Sequence, residues 1–208
     1  MKLTSEFLNS LKMFITISDI NEVSSSELKK WLEDATPEKQ REINSIKVEK
    51  KRNERTVADH IKRKALSDYC GVDPSNIRFG VSEKGKPYAA DLNVHFNVSH
   101  SAGIVVCAVS DKEIGIDIEK IKPINPEAAK KFACPDEIDY IVSHENGFFE
   151  IWTLKEAYFK CIGSGLGSNI KSVCFNIDGD NIICSDPDYN CSFVNIKDGY
   201  ICSVCEKK

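Results

Sequence analysis

The stretch Ile114-Gly115-Ile116-Asp117-Ile118-Glu119-Lys120 is strongly apolar and strongly acidic at once. Its β-branched residues and period-two alternation predict a strand, with Ile114, Ile116 and Ile118 on one face and Asp117 and Glu119 on the other. The isoleucine face calls for burial. The opposite face sets two carboxylates one repeat apart, and like charges that close raise each other's pKa unless a cation lies between them. Hard oxygen donors on a rigid strand suit Mg²⁺, whose other positions go to water and substrate phosphate. Alone, such a pair is more often the solvated face of an edge strand, so the rest of the chain decides.

The chain has 208 residues, enough for one domain with a good core or for two small ones. With 41% hydrophobic and 29% charged residues it has the composition of an ordinary soluble globular protein. A formal net charge of -4 gives no case for nucleic-acid binding. The charge is uneven: residues 39–64 are rich in Lys and Arg, whereas 111–156 carry many of the acids, a division that suits an anionic ligand held partly through a metal. Nine cysteines lie scattered, mostly in apolar runs. No signal-peptide pattern opens the chain, so they are expected as reduced thiols acting as small buried hydrophobes. Cys202 and Cys205 have C-x-x-C spacing, but on a strand their sulfurs point to opposite faces, and no second pair completes a zinc site. No apolar run approaches the ~20 residues of a membrane span, and a cytoplasmic protein is expected.

Working outward from the acidic stretch, residues 12–18 alternate as a first strand. Ser24 to Glu27 offers a capping box for a helix through Leu32, and Thr36-Pro37 an N-cap followed by Pro at the first helical position. A helix is predicted over 53–70, with Val57, Ile61, Ala65 and Leu66 on one face and Gly71 as its stop. Arg52, Arg55, Lys62, Arg63 and Lys64 lie on its outer face and read for the most part as solvated. Strands are expected at 77–81, 95–99 and 104–110, with the tight turn Gly85-Lys86-Pro87 after the first. Helical segments follow over 126–132 and 135–143. The strongest helix is 148–162, where Phe148, Ile151, Trp152, Phe159 and Ile162 mark a broad buried face and Gly163, Gly165 and Gly167 end it. Short antiparallel strands are expected at 173–177, 181–184, 191–196 and 200–205, separated by Asp-Gly and Asp-Pro turns. The class is α+β, with two similar subdomains, residues 1–111 and 112–208, each a small antiparallel sheet with packed helices.

Four stretches carry chemistry: Gly85-Lys86-Pro87, residues 96–101 (FNVSHS), the acidic strand, and residues 152–160 (WTLKEAYFK). In this order and at these separations they resemble the 4′-phosphopantetheinyl transferases, more narrowly the monomeric two-half type that activates peptide synthetases. The resemblance spans nearly the whole chain, from Thr36 to the terminal strand. It is specific because the G-[IV]-D-[IVL]-E and W-[ST]-x-K-E-[AS]-x-x-K patterns occur together. It implies a pseudo-twofold fold with the active site at the seam of the halves. The implied reaction transfers the 4′-phosphopantetheine arm of coenzyme A to a serine of an apo carrier protein, releasing adenosine 3′,5′-bisphosphate. The carrier is a small acidic helical domain of the fatty-acid, polyketide or peptide-synthetase kind. The runner-up is a non-catalytic coenzyme A-binding protein of the same fold.

The resemblance also assigns roles residue by residue. Asp117, Glu119 and Glu156 match the family's metal-holding carboxylates, with Mg²⁺ (or Mn²⁺) bridging the pyrophosphate of coenzyme A. Lys155 and Lys160 offset the pyrophosphate charge, and Lys160 stabilises the leaving phosphate. Ser99 and His100 match a pair that contacts the 3′-phosphate, and Lys86 lies against the same ligand. Lys39 and Thr56 match nucleotide-end positions. Glu42 stands where the family has a second basic residue, and Arg41 is its substitute. Glu137 matches a glutamate given the role of base toward the acceptor serine, with a metal-bound water as the competing base. Residues 126–141, with Phe132, Ala133, Ile138 and Ile141, are the expected carrier-docking surface. The plainer readings are an i,i+4 pair between Glu156 and Lys160, worth ~0.3–0.5 kcal/mol on a surface, and for Glu137 a helix-start acid favoured by the dipole.

Overall fold

The acidic stretch is a strand, and it belongs to the second of two compact units. The computed structural model describes residues 5–8, 13–165, 167 and 169–208, with residues 5–8 and 126 described by their backbone alone. The first unit holds the described residues up to Gly80 together with Tyr88–Asp111; the second holds Val81–Pro87 and Lys112–Lys208. A single division at residue 112 did not foresee the second unit's share of residues 81–87.

In the first unit β1 (Ser5–Leu8), β2 (Met13–Asp19), β5 (His95–Ser101) and β6 (Ile104–Ser110) form a four-stranded antiparallel sheet in the order β1-β2-β6-β5. Lys12, expected in the first strand, lies outside the described residues, and β1 had no forecast. The short β3 (Phe79–Val81) and β4 (Pro87–Ala89) pair separately. Helix α1 (Ser25–Glu33) starts in the predicted capping box, where Ser24 Oγ accepts from Glu27 N at 3.2 Å and Glu27 Oε2 from Ser24 N at 2.9 Å. Helix α2 (Pro37–Asn44) is capped by Thr36 Oγ1. Helix α3 (Glu49–Cys70) begins four residues before its forecast and ends at Gly71, whose φ of 68° a side chain would resist. Its Val57, Ile61, Ala65 and Leu66 pack with Phe14, Phe96, Val105, Cys107 and Val109 of the sheet into one core. Each fully buried Val, Ile or Leu there contributes about 1.5–3 kcal/mol.

Two residues of α3 read as solvated are not. Lys62 and Arg63 are largely buried and clamp the buried Asp59, at 2.7 Å and 3.2 Å. Burial raises the Asp59 carboxyl, but the two cations outweigh it and hold the group below its usual range. Their long stems also cover Phe79, with Lys62 Nζ 4.1 Å from the ring centre.

In the second unit β7 (Ile114–Lys120), β10 (Tyr189–Phe193) and β11 (Tyr200–Lys207) form an antiparallel sheet in the order β10-β11-β7. The strands β8 (Phe175–Asp178) and β9 (Asn181–Cys184) make a hairpin. Helices α4 (Pro135–Ser143) and α5 (Gly147–Ile162) match their forecasts closely, while the segment from 126 is a 3-10 helix over Pro126–Lys131. Ile151, Leu154, Ala157 and Phe159 of α5 pack with Phe132, Ala133, Phe175 and Cys205 into the second core. Phe132, Ala133 and Ile141, expected on a docking surface, are therefore buried in this core, because their spacing serves the helix contact.

The cysteines depart from expectation. Cys134–Cys174 and Cys191–Cys205 are disulfides, leaving Cys70, Cys107, Cys161, Cys184 and Cys202 free. Cys202 and Cys205 lie on β11 opposite Ile118 and Gly115, on different faces, as strand geometry requires.

Candidate active site

Helix α5 crosses β7 on the face that carries Gly115, Asp117 and Glu119, and the three isoleucines lie buried on the other. Asp117 is buried, Glu119 half-buried, and Glu156 reaches the same region from the helix. Lys160, one turn further on, donates from Nζ to Asp117 Oδ1 at 2.5 Å. Burial, reinforced by the Asp117 and Glu119 charges, pushes the Glu156 carboxyl up from 4.5 to about 7, although Lys160 pulls the other way. Acids that push up the pKa of one of their number even with Lys160 beside them suit a dication, and carboxylate oxygens are the donors Mg²⁺ prefers. That donor chemistry fits a hard divalent ion. No three His, Cys, Asp or Glu side chains among the described residues already stand at ligating geometry, so holding such an ion would need the carboxylates to close in and Lys160 to release Asp117.

Lys155 and Glu137 do not join this group. Their side chains are 0% exposed and 3.0 Å apart. Glu137 accepts from Cys134 N at 2.6 Å and from Phe175 N at 2.8 Å, and Lys155 donates to Val173 O at 2.5 Å and Ile170 O at 3.3 Å. Burial lowers the Lys155 ammonium, and the Glu137 charge opposes that shift. This arrangement counts against two expectations. A carboxylate whose two oxygens are held by backbone amides and an ammonium is not presented to an incoming hydroxyl. An ammonium spent on two carbonyls and that carboxylate is not presented to a pyrophosphate. The pair instead ties α4 and α5 to the segment entering β8.

Lys86 is likewise committed. It follows a turn closed by Gly85 N to Ser82 O (2.9 Å), and its Nζ donates to Cys161 O at 2.7 Å and Ile114 O at 3.1 Å. It thus satisfies the carboxy-terminal end of α5, where a cation also meets the negative end of the helix dipole. Burial lowers its pKa.

The nucleotide-end candidates lie in the first unit. Thr56 is buried on α3, and its Oγ1 donates to Arg52 O at 3.0 Å. Lys39 on α2 pairs with Glu42, the acid at the position where a base was expected, and Arg41 pairs with Glu38 at 3.1 Å on an exposed surface. Ser99 and His100 are consecutive on β5. Ser99 is buried with Asn97, while His100 is exposed on the face whose Phe96 and Val98 pack toward α3.

An apolar pocket of about 530 Å³ lies beside Glu119, lined by Phe132, Phe148, Trp152 and Ile170 with Lys122 and Lys131 at its polar edge; it includes Phe132 of the expected docking segment, while the part of Phe148, Trp152 and Ile170 in it was not foreseen. The aromatic clustering of Phe148, Phe149 and Trp152 was its available signal.

A family profile described as "4'-phosphopantetheinyl transferase superfamily" matches residues 113–205, and one described as "4'-phosphopantetheinyl transferase, N-terminal" matches residues 22–112. The chain is 30% identical over 194 residues to 4'-phosphopantetheinyl transferase Sfp of Bacillus subtilis (strain 168), covering 88% of this chain and 87% of that one. It is 41% identical over 130 residues to another 4'-phosphopantetheinyl transferase of Bacillus subtilis, covering 60% of this chain and 58% of that one. With 4'-phosphopantetheinyl transferase gsp of Aneurinibacillus migulanus the identity is 41% over 115 residues, 53% of this chain and 48% of that one. No helix among the described residues is long and apolar enough to cross a membrane. With its two small antiparallel-sheet units, both matched by the family's own halves, the chain belongs to the 4′-phosphopantetheinyl transferase superfamily and is a transferase of the two-half, Sfp-like type.

Proposed function

We propose that the chain performs its family's reaction on coenzyme A, moving the 4′-phosphopantetheine arm to a serine of an apo carrier protein with release of adenosine 3′,5′-bisphosphate. The observation that carries this reading is the meeting of Asp117, Glu119, Glu156 and Lys160 where α5 crosses β7. Asp117, Glu119 and Glu156 would hold Mg²⁺ or Mn²⁺. When bound, such an ion neutralises charge that develops on the pyrophosphate as the arm is transferred. Lys160 then turns its ammonium from Asp117 to the leaving phosphate, so one cation serves first the carboxylates and then the substrate. Positioning supplies the rest of the acceleration, as in other phosphoryl transfers.

For the nucleotide end we assign Lys39, Arg41, Thr56, Ser99 and His100, on their match to the family's positions. Lys86, Lys155 and Glu137 belong to the framework that holds α5. We assign the carrier to the pocket beside Glu119, where Trp152 and Phe148 offer apolar contact and Lys122 and Lys131 suit an acidic partner. The reading includes a cytoplasmic monomer.

Incubation with coenzyme A, Mg²⁺ and a panel of apo carriers is the test. The carrier that is the substrate gains the mass of the arm. No mass gain across fatty-acid, polyketide and peptide-synthetase carriers, with coenzyme A binding intact, returns the chain to a non-catalytic binder.

A further inference from the structure

The glycine and the threonine of the two family patterns have no part in the chemistry above, yet both sit at the contact that builds the carboxylate cluster. A Cβ placed on Gly115 would lie 2.0 Å from Ala157 O and 2.4 Å from Cys161 N. These are backbone atoms of α5, so no flexible side chain can swing aside to make room. The φ of Gly115 is not in the left-handed region, and the requirement is one of space: the helix backbone lies directly on the strand backbone. A second tie lies across the sheet. Thr153 Oγ1 and Ser203 Oγ are 2.6 Å apart, both side chains are fully buried, and Ser203 is the register partner of Asp117.

Thr153, Ala157 and Cys161 are spaced i, i+4, i+8 and make one ridge of α5. Glu156 and Lys160 make the adjacent ridge. Seating the first ridge on Gly115 and Ser203 therefore fixes where the second ridge hangs over Asp117. The two ties bracket the site, one two residues along β7 from Asp117 and one directly across from it on β11.

We propose that Gly115 and the Thr153–Ser203 hydrogen bond are positioning elements that set the gap between α5 and β7 at which Glu156 meets Asp117 and Glu119 on a single small cation. This rests on the metal reading given above and adds to it: the size of the cation is chosen by how closely the helix backbone approaches the strand. Mg²⁺ requires oxygens at about 2.0–2.1 Å, whereas Ca²⁺ accepts about 2.3–2.6 Å and looser geometry. A wider gap therefore weakens binding of the smaller ion most.

The test is Mn²⁺ titration by electron paramagnetic resonance, with Mg²⁺ and Ca²⁺ as competitors, on the whole chain with coenzyme A present. Unfolding midpoints are measured in parallel. Thr153→Val keeps the shape and removes the hydrogen bond; Thr153→Ser keeps the bond and is the rescue. Thr153→Val and Gly115→Ala are expected to weaken Mn²⁺ binding about 10-fold or more, the effect of losing an outer-shell support, with Thr153→Ser close to wild type. Gly115→Ala is further expected to shift competition toward Ca²⁺ over Mg²⁺. Should Gly115→Ala fail to fold, Thr153→Val against Thr153→Ser decides. If the folded variants lose thermal stability but bind Mn²⁺ with wild-type affinity and selectivity, the elements are packing alone and the inference is overturned while the metal reading stands. If the wild type binds no Mn²⁺, both fall together.

Discussion

Lys155 and Glu156 follow one another on α5 and enter two charge clusters of opposite character. Lys155 meets Glu137 in a closed pair, 0% exposed on both sides, with four backbone groups completing its hydrogen bonds. Glu156 feels the charges of Asp117, Glu119 and Lys160, and its carboxyl is pushed up to about 7. The first cluster balances its own charge and needs nothing from outside. The second carries a surplus that a proton on Glu156 or a bound cation would lower, and such imbalance marks a candidate site rather than a frame. One helix enters both clusters because its consecutive residues point about 100° apart, so the closed pair fixes the helix that also carries the open cluster.

The contrast breaks most visibly at Asp117. Asp117→Asn removes a carboxylate from the open cluster and is expected to reduce transfer by roughly a thousandfold, the several kcal/mol a metal supplies, while the unfolding midpoint stays near that of wild type. Full activity in that variant would show that the cation is held elsewhere. At Glu137 the expected balance is reversed. Glu137→Gln strands a buried ammonium and should cost about 3–5 kcal/mol in urea unfolding, and the paired change Glu137→Leu with Lys155→Met should recover much of it. A Glu137→Gln variant of unchanged stability that loses only kcat would make Glu137 the base after all, and the division between the clusters would dissolve.

The open cluster was legible in the sequence and the closed one was not, for a physical reason. Alternation on β7 and the apolar periodicity of α5 fix which faces are inward, so the sequence alone places Asp117, Glu119, Glu156 and Lys160 at one contact. Their charges read as a candidate site because they recur together in the two family patterns. Glu137 and Lys155 have the same residue types, but what completes them is backbone: the amides of Cys134 and Phe175 and the carbonyls of Ile170 and Val173. Backbone groups carry no sequence signal, so the pair was assigned to substrate. Lys86 likewise has partners that sequence does not show, the carbonyls of Ile114 and Cys161. Lys62 and Arg63 were misread as solvated because the burial of Asp59 depends on how α3 sits on its sheet, which periodicity of apolar residues alone does not report. The fold fared better: helices and strands follow from local pattern, and the elements missed, β1 and β4, are a strand of four residues and one of three.

The smallest expected effect is also the one that measures the surplus directly. With divalent ions chelated, the Glu156 carboxyl sits at about 7 in the folded chain against 4.5 as its ordinary value. Between those values the folded chain binds more protons at this site than the unfolded chain, so stability contributed by the group is full below about pH 4.5 and is lost as pH rises through about 7. Discounted for partial exposure of the carboxyl, the loss is on the order of 2 kcal/mol. Unfolding midpoints from pH 5 to pH 8 should therefore slope downward for the chelated wild type, and Glu156→Gln should remove this part of the slope. Mg²⁺ should remove it too, since a dication favours the ionised carboxylate, and its stabilising effect should shrink below about pH 7, where the proton competes for the same oxygens. A slope that survives both Glu156→Gln and Mg²⁺ would mean the three carboxylates are not one electrostatic unit. The open cluster would then be no more than acids that happen to share a strand and a helix.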